Sequence, residues 1–372
     1  MRVALVHDWL VRMRGGEKVL EQMCYIYPHA DVYTLLYKPD EISPVINGLT
    51  VRTSFIQKLP GGFGKYPWYL PLFPAAIEQF NLSPYDLVIS SSHCVAKGVI
   101  TRPGTCHISY IHTPMRYAWE MYYQYFEPER ISKISQMIIP GLMSRLRVWD
   151  RVSADRVDFF IANSQYTAQR INKHYRRQAE VIYPPVATDY YTPDDKPRQD
   201  YYLIVSALVP YKRVDLAIMA CNQLKIPLVV IGSGVEAKRL QAHASCYIKF
   251  LGYQDRELIR EHYRTCRALL FPGEEDFGIT PLEAMACGCP VIAYGAGGAL
   301  ETIKEPDSGL FFYEQTDHAL IDAITRFEQM SFTAAHVRNG ALAFSEQVFR
   351  EKMADFVEDK YRQYRKGEHI PC

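Results

Sequence analysis

Short apolar segments alternate with longer amphipathic ones along most of this 372-residue chain. Buried strands that alternate with helical crossovers are typical of parallel sheets with helices on both faces. In the first half, the predicted strands are residues 2–9, 30–37, 49–56, 85–92, 106–113 and 158–164. In the second half, they are residues 201–208, 226–234, 247–253, 268–273 and 290–298. The pattern therefore predicts an α/β protein.

A proline-rich and charged stretch at residues 184–200 separates the two series of strands. Such a composition is typical of a linker, so we predict a first domain over residues 1–183 and a second over residues 201–345. Each domain is expected to be Rossmann-like, and the two to face each other across a cleft, with ligands beyond the carboxyl ends of the strands. The final segment, 346–372, begins with an amphipathic helical pattern and is expected to pack back on the first domain.

The composition excludes several classes of protein. Hydrophobic residues make up 48% of the chain and charged residues 22%, which excludes a disordered protein. No apolar run approaches the ~20 residues of a membrane span, and the start of the chain is typical of a buried strand rather than of a signal peptide. Nine cysteines without a zinc spacing indicate free thiols. We therefore expect a cytoplasmic protein.

Three common ligand-binding motifs are missing from the sequence. The absence of G-x-G-x-x-G and of G-x-x-x-x-G-K-[ST] disfavours dehydrogenases and P-loop NTPases, and the absence of Asp-x-Asp disfavours a bound divalent metal. The net charge of +1 divides into +6 over residues 1–183 (21 basic against 15 acidic) and −5 over residues 184–372 (21 against 26). This asymmetry indicates different partners for the two halves, or chance variation between domains. We expect no cofactor and no nucleic-acid partner.

Two glutamates in "GEEDFGITPLEAMACG" (273–288) are the strongest candidates for a binding site. A buried strand precedes the segment and a helix follows it, so Glu275 is expected on the loop at the strand's carboxyl end. The pattern Thr-Pro-x-Glu ending at Glu283 fits a capping box, so Glu283 is either a helix cap or a ligand-binding residue. The helix amides near residues 278–280 would attract phosphate, whereas the carboxylates suit neutral hydroxyls. A nucleotide-sugar offers both groups.

Three further segments fit the recognition of a diphosphate. In residues 206–218, Lys212 and Arg213 are predicted to open a helix after a strand end. A bound anion would offset their unfavourable position there, unless they form only a solvated basic turn. The glycines of "GSGVE" (232–236) and of "GGEKVL" (15–20) can present backbone amides to a phosphate.

The segments "GGEKVL", "SYIHTPMRYAW", "VPYKRVDLAI", "GSGVE" and "EEDFGITPLEAMACGCPVIAYGAGGALET" together resemble the retaining family-4 glycosyltransferases of the GT-B fold. The resemblance spans most of the chain and is strongest over residues 201–313, and the last segment matches the family's region of two glutamates seven residues apart. "IHTPMRYAW" and "VPYKRVDLAI" are most similar to bacterial mannosyltransferases of O-antigen and exopolysaccharide synthesis.

The resemblance implies transfer of a hexose, with mannose from GDP-mannose favoured, to a saccharide acceptor that is expected to be polyprenyl-linked. Because Asp-x-Asp is absent, we expect the transfer to need no metal. A UDP-sugar donor, a soluble acceptor, a nucleotide-sugar epimerase of the same fold and a nucleotide-sugar-binding protein without turnover stay open as alternatives.

The resemblance further implies roles for individual residues. As catalytic residues, Glu275 would contact hydroxyls of the donor sugar, Lys212 would bind the diphosphate, and His112 would point at the sugar from the first domain. The other donor-binding residues would be Gly15, Gly16, Arg213, Phe277, Gly278, Ile279 and Glu283. A structural hydrogen bond explains His112 equally well. Many members of the family have an arginine where this chain has Ala207, and Arg213 is the candidate replacement.

Residues 59–80 combine Trp68 with other aromatic residues, prolines and nearby lysines. This composition suits a membrane interface or a lipid-linked acceptor, although a buried crossover explains it too, and the prolines are expected to prevent regular structure. Basic residues in 144–156 add a candidate contact to anionic lipid. Asp8, Arg116 and Trp68 are accordingly expected on the acceptor or membrane side. We expect peripheral contact with the inner face of the cell membrane.

Overall fold

The computed structural model describes residues 1–127 and 132–367 and divides into two compact units. The first unit comprises Met1–Pro185 and Gln347–Cys372, and the second comprises Val186–Glu346. Most of the predicted linker belongs to the second unit. Its Tyr191 is buried, and Arg338 donates a hydrogen bond of 2.7 Å to the Tyr191 carbonyl. The linker prediction is therefore wrong for residues 186–200, because their backbone is held by the second unit.

The described part of the first unit contains a seven-stranded parallel sheet in the order β3-β2-β1-β4-β5-β6-β7. Its strands are β1 (Val3–His7), β2 (Asp31–Thr34), β3 (Thr50–Thr53), β4 (Leu87–Ser92), β5 (Cys106–Ile111), β6 (Phe159–Ala162) and β7 (Ala179–Val181). Its helices are α1 (Gly15–Ile26), α2 (Pro44–Asn47), α3 (Gly62–Lys65), α4 (Phe73–Glu78), α5 (Tyr122–Tyr125), α6 (Lys133–Ser153) and α7 (Gln165–Tyr175). Short 3-10 helices cover Pro39–Glu41, Phe55–Lys58, Tyr66–Leu72, Ala96–Gly98 and Ala154–Arg156.

The second unit contains a six-stranded parallel sheet in the order β10-β9-β8-β11-β12-β13. Its strands are β8 (Tyr202–Val205), β9 (Leu228–Ile231), β10 (Ile248–Gly252), β11 (Leu269–Phe271), β12 (Val291–Tyr294) and β13 (Gly309–Phe312). Its helices are α8 (Val214–Leu224), α9 (Ala237–Ala242), α10 (Arg256–Thr265), α11 (Ile279–Ala286), α12 (Ala299–Thr302), α13 (Asp317–Phe327) and α14 (Ala334–Leu342), and a 3-10 turn covers Pro210–Lys212. The last helix of the chain, α15, spans Glu346–Arg365.

Both faces of the first sheet are buried, which explains the nearly continuous apolar runs of its strands. Leu5 of β1 points into one cluster, whereas its neighbour Val6 points into the cluster on the opposite face. Helix α15 contributes Phe349 and Met353 to the first of these clusters. Burial of each such side chain is worth about 1.5–3 kcal/mol, so α15 is an integral part of the first unit, as its amphipathic pattern predicts.

The prediction of an α/β protein with two Rossmann-like sheets is confirmed. Every predicted strand is present, although each is shorter than its apolar run. The strands β7 and β13, which the sequence analysis missed, lie at the edges of their sheets. Among the helices of the described residues, none combines the length and the apolar character needed to cross a bilayer.

Candidate functional site

The strand order of each sheet reverses direction once, between β1 and β4 in the first unit and between β8 and β11 in the second. Loops that leave the carboxyl ends of strands on either side of such a reversal diverge and leave a crevice for ligands. In the second unit these loops carry Lys212 and Glu275, which follow β8 and β11. The topology therefore brings together two residues that are far apart in sequence.

Lys212 and Glu275 form an ion pair in the second unit. Their side chains are only 14% and 18% exposed, respectively. The close approach of the two loops requires a glycine at position 273, because a Cβ atom there would lie 2.8 Å from the Cα of Lys212. A cation and a carboxylate thus share a partly buried position at the carboxyl edge of the sheet.

The structure changes the interpretation of the basic turn. Lys212 ends the 3-10 turn before α8, and Arg213, with a φ of 49°, links that turn to the helix. Arg213 donates a 3.3 Å hydrogen bond to Asp215 in the first turn of α8. The prediction that both basic residues open the helix is therefore wrong, because α8 begins at Val214 and Lys212 belongs to the preceding 3-10 turn. Asp215, in the first turn of α8, balances the charge of Arg213.

The "GSGVE" glycines have a packing role. A Cβ atom on Gly232 would clash with the carbonyl of Ser206, and one on Gly234 with the carbonyl of Leu208. The Leu208 amide also donates a 2.9 Å hydrogen bond to the Ser233 carbonyl. These glycines therefore let the loops after β8 and β9 pack against each other, and this contact explains their presence without any phosphate.

The acidic loop leads into α11, whose N-cap is Gly278 with a φ of 87°. Because the helix begins at Ile279, the capping box predicted at its start is wrong, and no side chain caps this helix. The Gly298 amide donates a 2.9 Å hydrogen bond to the Glu275 carbonyl, and the ring of Phe277 is buried. The backbone that presents the first amides of α11 is therefore firmly held.

Glu283 lies beyond the first turn of α11 and is largely buried. Burial, followed by the charge of Glu283, raises the pKa values of Tyr191 and Tyr263. Arg256 provides a compensating positive charge nearby. Glu283 thus lies beside two tyrosines and an arginine, while Glu275 contacts Lys212.

In the first unit, the predicted residues Gly15 and Gly16 begin α1 next to His112. A Cβ atom on Gly16 would lie 3.3 Å from His7 and 3.5 Å from Nε2 of His112. Burial, followed by the charges of His93, His7 and Arg116, lowers the pKa of His112 well below its usual value. His112 is therefore a neutral imidazole at neutral pH, and Arg116 belongs to its surroundings.

Asp8, which is predicted on the acceptor or membrane side, has a structural role within the first unit. Its side chain is completely buried. Its two oxygens accept hydrogen bonds of 2.6–2.9 Å from four consecutive amides, those of residues 93–96. A carboxylate that is held in this way fixes the turn after β4, and this turn carries His93, whose Nδ1 lies 3.1 Å from Asp8.

The segment around Trp68 is more regular than predicted. The helices α3 and α4 flank the 3-10 helix Tyr66–Leu72, which includes Pro71. Tyr66 and Tyr69 pack against the core, whereas the side chain of Trp68 is 83% exposed. The segment is therefore a short helical crossover that presents Trp68 to solvent.

Three residues near His112 were missed as site residues: His7, Glu17 and Ser91. The Ser91 hydroxyl lies 3.1 Å from Nδ1 of His7 and 2.8 Å from Nε2 of His112. His7 and Ser91 share a signal in the sequence, a polar residue near the carboxyl end of a predicted strand, whereas Glu17 lies in the helix that follows β1. Within residues 1–127 and 132–367, no three His, Cys, Asp or Glu side chains are placed to hold a metal ion.

Two family models match the chain. Residues 29–190 match the family described as Glycosyltransferase Family 4, and residues 193–343 match that described as Glycosyl transferases group 1. Together these matches cover most of both units.

Two curated relatives illustrate the similarity in sequence. An uncharacterized glycosyltransferase of Methanocaldococcus jannaschii is 28% identical over 184 residues, which cover 48% of this chain and 52% of that protein. A D-inositol 3-phosphate glycosyltransferase of Geodermatophilus obscurus is 29% identical over 223 residues, which cover 50% of this chain and 49% of that protein. The matched region spans about half the length of these relatives.

The fold is similar to that of HepE from Anabaena, crystallised in complex with UDP. The TM-score is 0.72 at 18% sequence identity, and the comparison covers 96% of this chain and 100% of HepE. At this level of identity the likeness concerns the fold alone. With a Family 4 region in its first half and a group 1 region in its second, the chain belongs to the glycosyltransferases of the GT-B fold.

Proposed function

We propose that this glycosyltransferase moves a hexose from a nucleotide-sugar to a saccharide acceptor, with retention of the anomeric configuration and without a metal ion. The observation that carries the proposal is the contact between Lys212 and Glu275 at the reversal of the second sheet. A nucleotide-sugar has a diphosphate next to a ring of hydroxyls. A lysine beside a carboxylate complements that pair of groups, because the ammonium attracts the phosphates and the carboxylate accepts hydrogen bonds from the hydroxyls.

The surrounding residues fit the same ligand. The first amides of a helix lack partners within the helix and carry partial positive charge. Those of α11, near Phe277, Gly278 and Ile279, would therefore receive a phosphate or a sugar hydroxyl. Glu283, which lies deeper in the same helix, is proposed to accept a hydrogen bond from the ribose.

Retention is proposed to follow from attack on the face that the diphosphate leaves. The bond between the anomeric carbon and the phosphate oxygen breaks, and its electron pair stays on the diphosphate. The acceptor oxygen bonds to the same carbon and passes its proton to the leaving phosphate. Lys212 and the α11 amides would stabilise the negative charge that develops on the diphosphate, while Glu275 would hold the sugar.

Lys212 and Arg213 are each paired with a carboxylate, Glu275 and Asp215 respectively. Lys212 is proposed to bind the diphosphate first because its pair lies at the reversal of the sheet. The Nε of Arg213 lies 3.3 Å from Asp215, a length typical of a weak contact. A diphosphate carries more charge than one carboxylate and would compete for the guanidinium. Arg213 is therefore proposed to replace the arginine missing at Ala207 only when a donor is bound.

GDP-mannose is the proposed donor, because "HTPMRYAW" is most similar to mannosyltransferases. A UDP-sugar is the second candidate, and the crystal structure of HepE with UDP supports it. A thermal-shift screen of GDP-, UDP-, ADP- and dTDP-sugars tests the choice. We expect GDP-mannose to raise the melting temperature of the protein most. If only a UDP-sugar raises it, a UDP-sugar takes the place of GDP-mannose as the proposed donor. No response to any nucleotide-sugar would contradict the proposed function.

The acceptor is proposed to be a polyprenyl-linked saccharide at the inner face of the cell membrane. Trp68 and three apolar residues of α6, Ile134, Met137 and Ile138, are exposed in the first unit. Helix α6 also carries Lys133 and Arg145 at exposed positions. Apolar and cationic side chains together favour contact with the headgroup region of an anionic membrane.

A further inference from the structure

Four side chains of the first unit lie in a line that ends at His112, in which hydrogen bonds join His7, Ser91 and His112 and the Glu17 carboxylate lies at ion-pair distance from His7. Oε1 of Glu17 lies 3.9 Å from Nε2 of His7, and Nδ1 of His7 lies 3.1 Å from the hydroxyl of Ser91. The same hydroxyl lies 2.8 Å from Nε2 of His112. Helix α1 and the strands β1 and β4 contribute the first three residues, and the fourth follows β5. The proposed sugar contact is thus connected to a carboxylate through two buried side chains.

The interior of this line is shielded from water. His7 has no exposed surface, Ser91 has none, and Glu17 is 4% exposed. Nε2 of His7 makes no hydrogen bond to any residue that the structure describes, and the Glu17 carboxylate is the acidic group beside it. The other oxygen of Glu17 accepts a 3.0 Å hydrogen bond from the Arg14 amide, which fixes the side chain. Buried polar groups in such a line orient one another strongly.

The line has a direction because a serine hydroxyl has only one proton to donate. Burial alone would raise the pKa of Glu17, but His7 and His93 outweigh it and keep the pKa below its usual value. In the neutral form of His7, the carboxylate beside Nε2 favours the tautomer with its proton on that nitrogen. Nδ1 of His7 is then an acceptor and takes the proton of Ser91. Consequently, the Ser91 oxygen is left to accept a proton from His112.

We propose that Glu17 acts through His7 and Ser91 as a positioning residue that keeps the His112 proton on Nε2. Nδ1 of His112 is then an acceptor for a hydroxyl of the transferred sugar, and this step rests on the proposed function. The hydrogen bond between His112 and Ser91 uses Nε2, so Nδ1 is the ring nitrogen that a ligand hydroxyl would approach. Wrong tautomers of a functional histidine remove activity even when its position is unchanged.

The charged groups around the line favour a neutral His112. Arg116 carries a positive charge, whereas burial lowers the pKa of His93, whose Nδ1 lies 3.1 Å from the buried Asp8. Positive neighbours disfavour a second proton on His112. Tautomer selection therefore applies to the form of His112 that predominates at neutral pH.

The test compares two substitutions with matched controls in the full chain. Glu17→Gln keeps the size of the side chain but removes its charge, and Glu21→Gln makes the same change one turn along α1. Ser91→Ala removes the bridging hydroxyl. Ser90→Ala removes a buried hydroxyl of the same strand that is bonded to His107 and Ser109 instead.

The first measurement is the tautomer of His112 in ¹⁵N-histidine-labelled protein, observed by NMR and assigned with His112→Gln. We expect protonation on Nε2 in the wild type and in both controls, and loss of that preference in Glu17→Gln and Ser91→Ala. A proton on Nδ1 in the wild type, or an unchanged tautomer in both test variants, would overturn the proposal. This readout needs no donor, so it remains decisive if the chain transfers no sugar.

The second measurement is turnover under saturating donor. Loss of a residue that orients a metal-bound histidine typically costs about 10–100-fold, and by analogy we expect a fall of this size in kcat for both test variants. The controls should change kcat by no more than about twofold. Equal losses in Ser90→Ala and Ser91→Ala would assign the effect to packing and overturn the positioning role. If the wild type shows no transfer, the proposed function fails, whereas the tautomer result stands by itself.

Discussion

Lys212 and Glu275 form an ion pair at the carboxyl edge of the second sheet, where the order of its strands reverses. Each side chain is less than one-fifth exposed, so the two charges interact in surroundings drier than bulk water. A buried pair of this kind is weak evidence for stability, because desolvation offsets much of the attraction. Its position at the ligand-binding edge of a Rossmann-like sheet favours a functional explanation.

Glu275→Gln should separate binding of the sugar from binding of the nucleotide. The amide cannot replace a charged hydrogen bond to a sugar hydroxyl, so affinity for the nucleotide-sugar should weaken by about 1.5–3 kcal/mol. Affinity for the nucleoside diphosphate alone should be unchanged or stronger, because Lys212 loses its competing carboxylate. Calorimetry with both ligands measures the difference, and Glu314→Gln, at an exposed position of the same unit, is the control. Equal weakening of both ligands would refute the sugar contact.

Gly273→Ala should damage the site by pushing two loops apart. The new Cβ atom would lie 2.8 Å from the Lys212 Cα and 3.0 Å from the Tyr211 carbonyl, and neither backbone atom can move freely. Overpacking of this kind costs about 1–3 kcal/mol, so urea unfolding should detect it alongside reduced donor affinity. The control is Gly104→Ala, whose Cβ atom would meet no atom of the described residues within 4 Å. Unchanged stability and affinity in Gly273→Ala would contradict the close packing.

Glu120 should contribute stability that disappears in acid. It accepts hydrogen bonds from Nε and Nη2 of Arg170, the first of 2.8 Å, and Nη1 of the same arginine donates to Thr113, next to His112. Burial would raise its pKa, but hydrogen bonds from His174 and Arg170 outweigh burial and lower the pKa to about 2. Because this pKa lies below the unfolded value of about 4.3, the stabilisation is complete above about pH 5 and decreases as the pH falls toward 2.

Unfolding of the wild type and of Glu120→Gln at several pH values tests this dependence. The wild type should be the more stable protein near pH 7, and the difference should shrink below about pH 4. If the difference in the free energy of unfolding between the two proteins is the same at about pH 7 and at about pH 4, the charge of Glu120 does not contribute to stability.

Trp68→Ala should weaken binding to membranes that contain anionic lipid. The side chain is 83% exposed, so its removal should leave the core of the unit intact. Loss of one interfacial aromatic residue should lower vesicle affinity on the order of tenfold, or about 1.4 kcal/mol. Co-sedimentation with phosphatidylglycerol-containing vesicles measures the effect, and Tyr253→Ala, which removes an exposed aromatic residue of the second unit, is the control. Binding that ignores both Trp68 and anionic lipid would exclude this membrane contact.

The positions of the strands and of the principal loops were predictable because both depend on local patterns. Apolar runs identified each central strand, and the turn residues after β8 and β11 identified the loops of Lys212 and Glu275. The edge strands β7 and β13 were missed because β7 has three residues and β13 begins with a glycine. Such segments have a weak local strand pattern, and it is their pairing with the neighbouring strands β6 and β12 that makes them strands.

The interactions of individual side chains were less predictable because they join residues distant in sequence. Asp8 binds amides that lie 85–88 positions further along the chain, and Ser91 joins His7 to His112. Local patterns also misled where two explanations fitted the same residues. The sequence near Glu283 satisfied a capping-box pattern, but Gly278 is the N-cap, so the helix begins at Ile279, one residue before the threonine.

The central claim is that Lys212 stabilises a diphosphate that leaves as the sugar is transferred. The most direct measurement compares the wild type with Lys212→Ala, with and without a polyprenyl-linked saccharide, and follows sugar on the acceptor and released nucleoside diphosphate by mass spectrometry. The account predicts that sugar-bearing acceptor and nucleoside diphosphate form in equal amounts, and only when the acceptor is present. Lys212→Ala should lower the rate of transfer by ~10²–10³. Lys238→Ala, which removes a lysine at an exposed position, should match the wild type. Near-normal transfer by folded Lys212→Ala, or donor converted to an epimer without acceptor, would contradict the account.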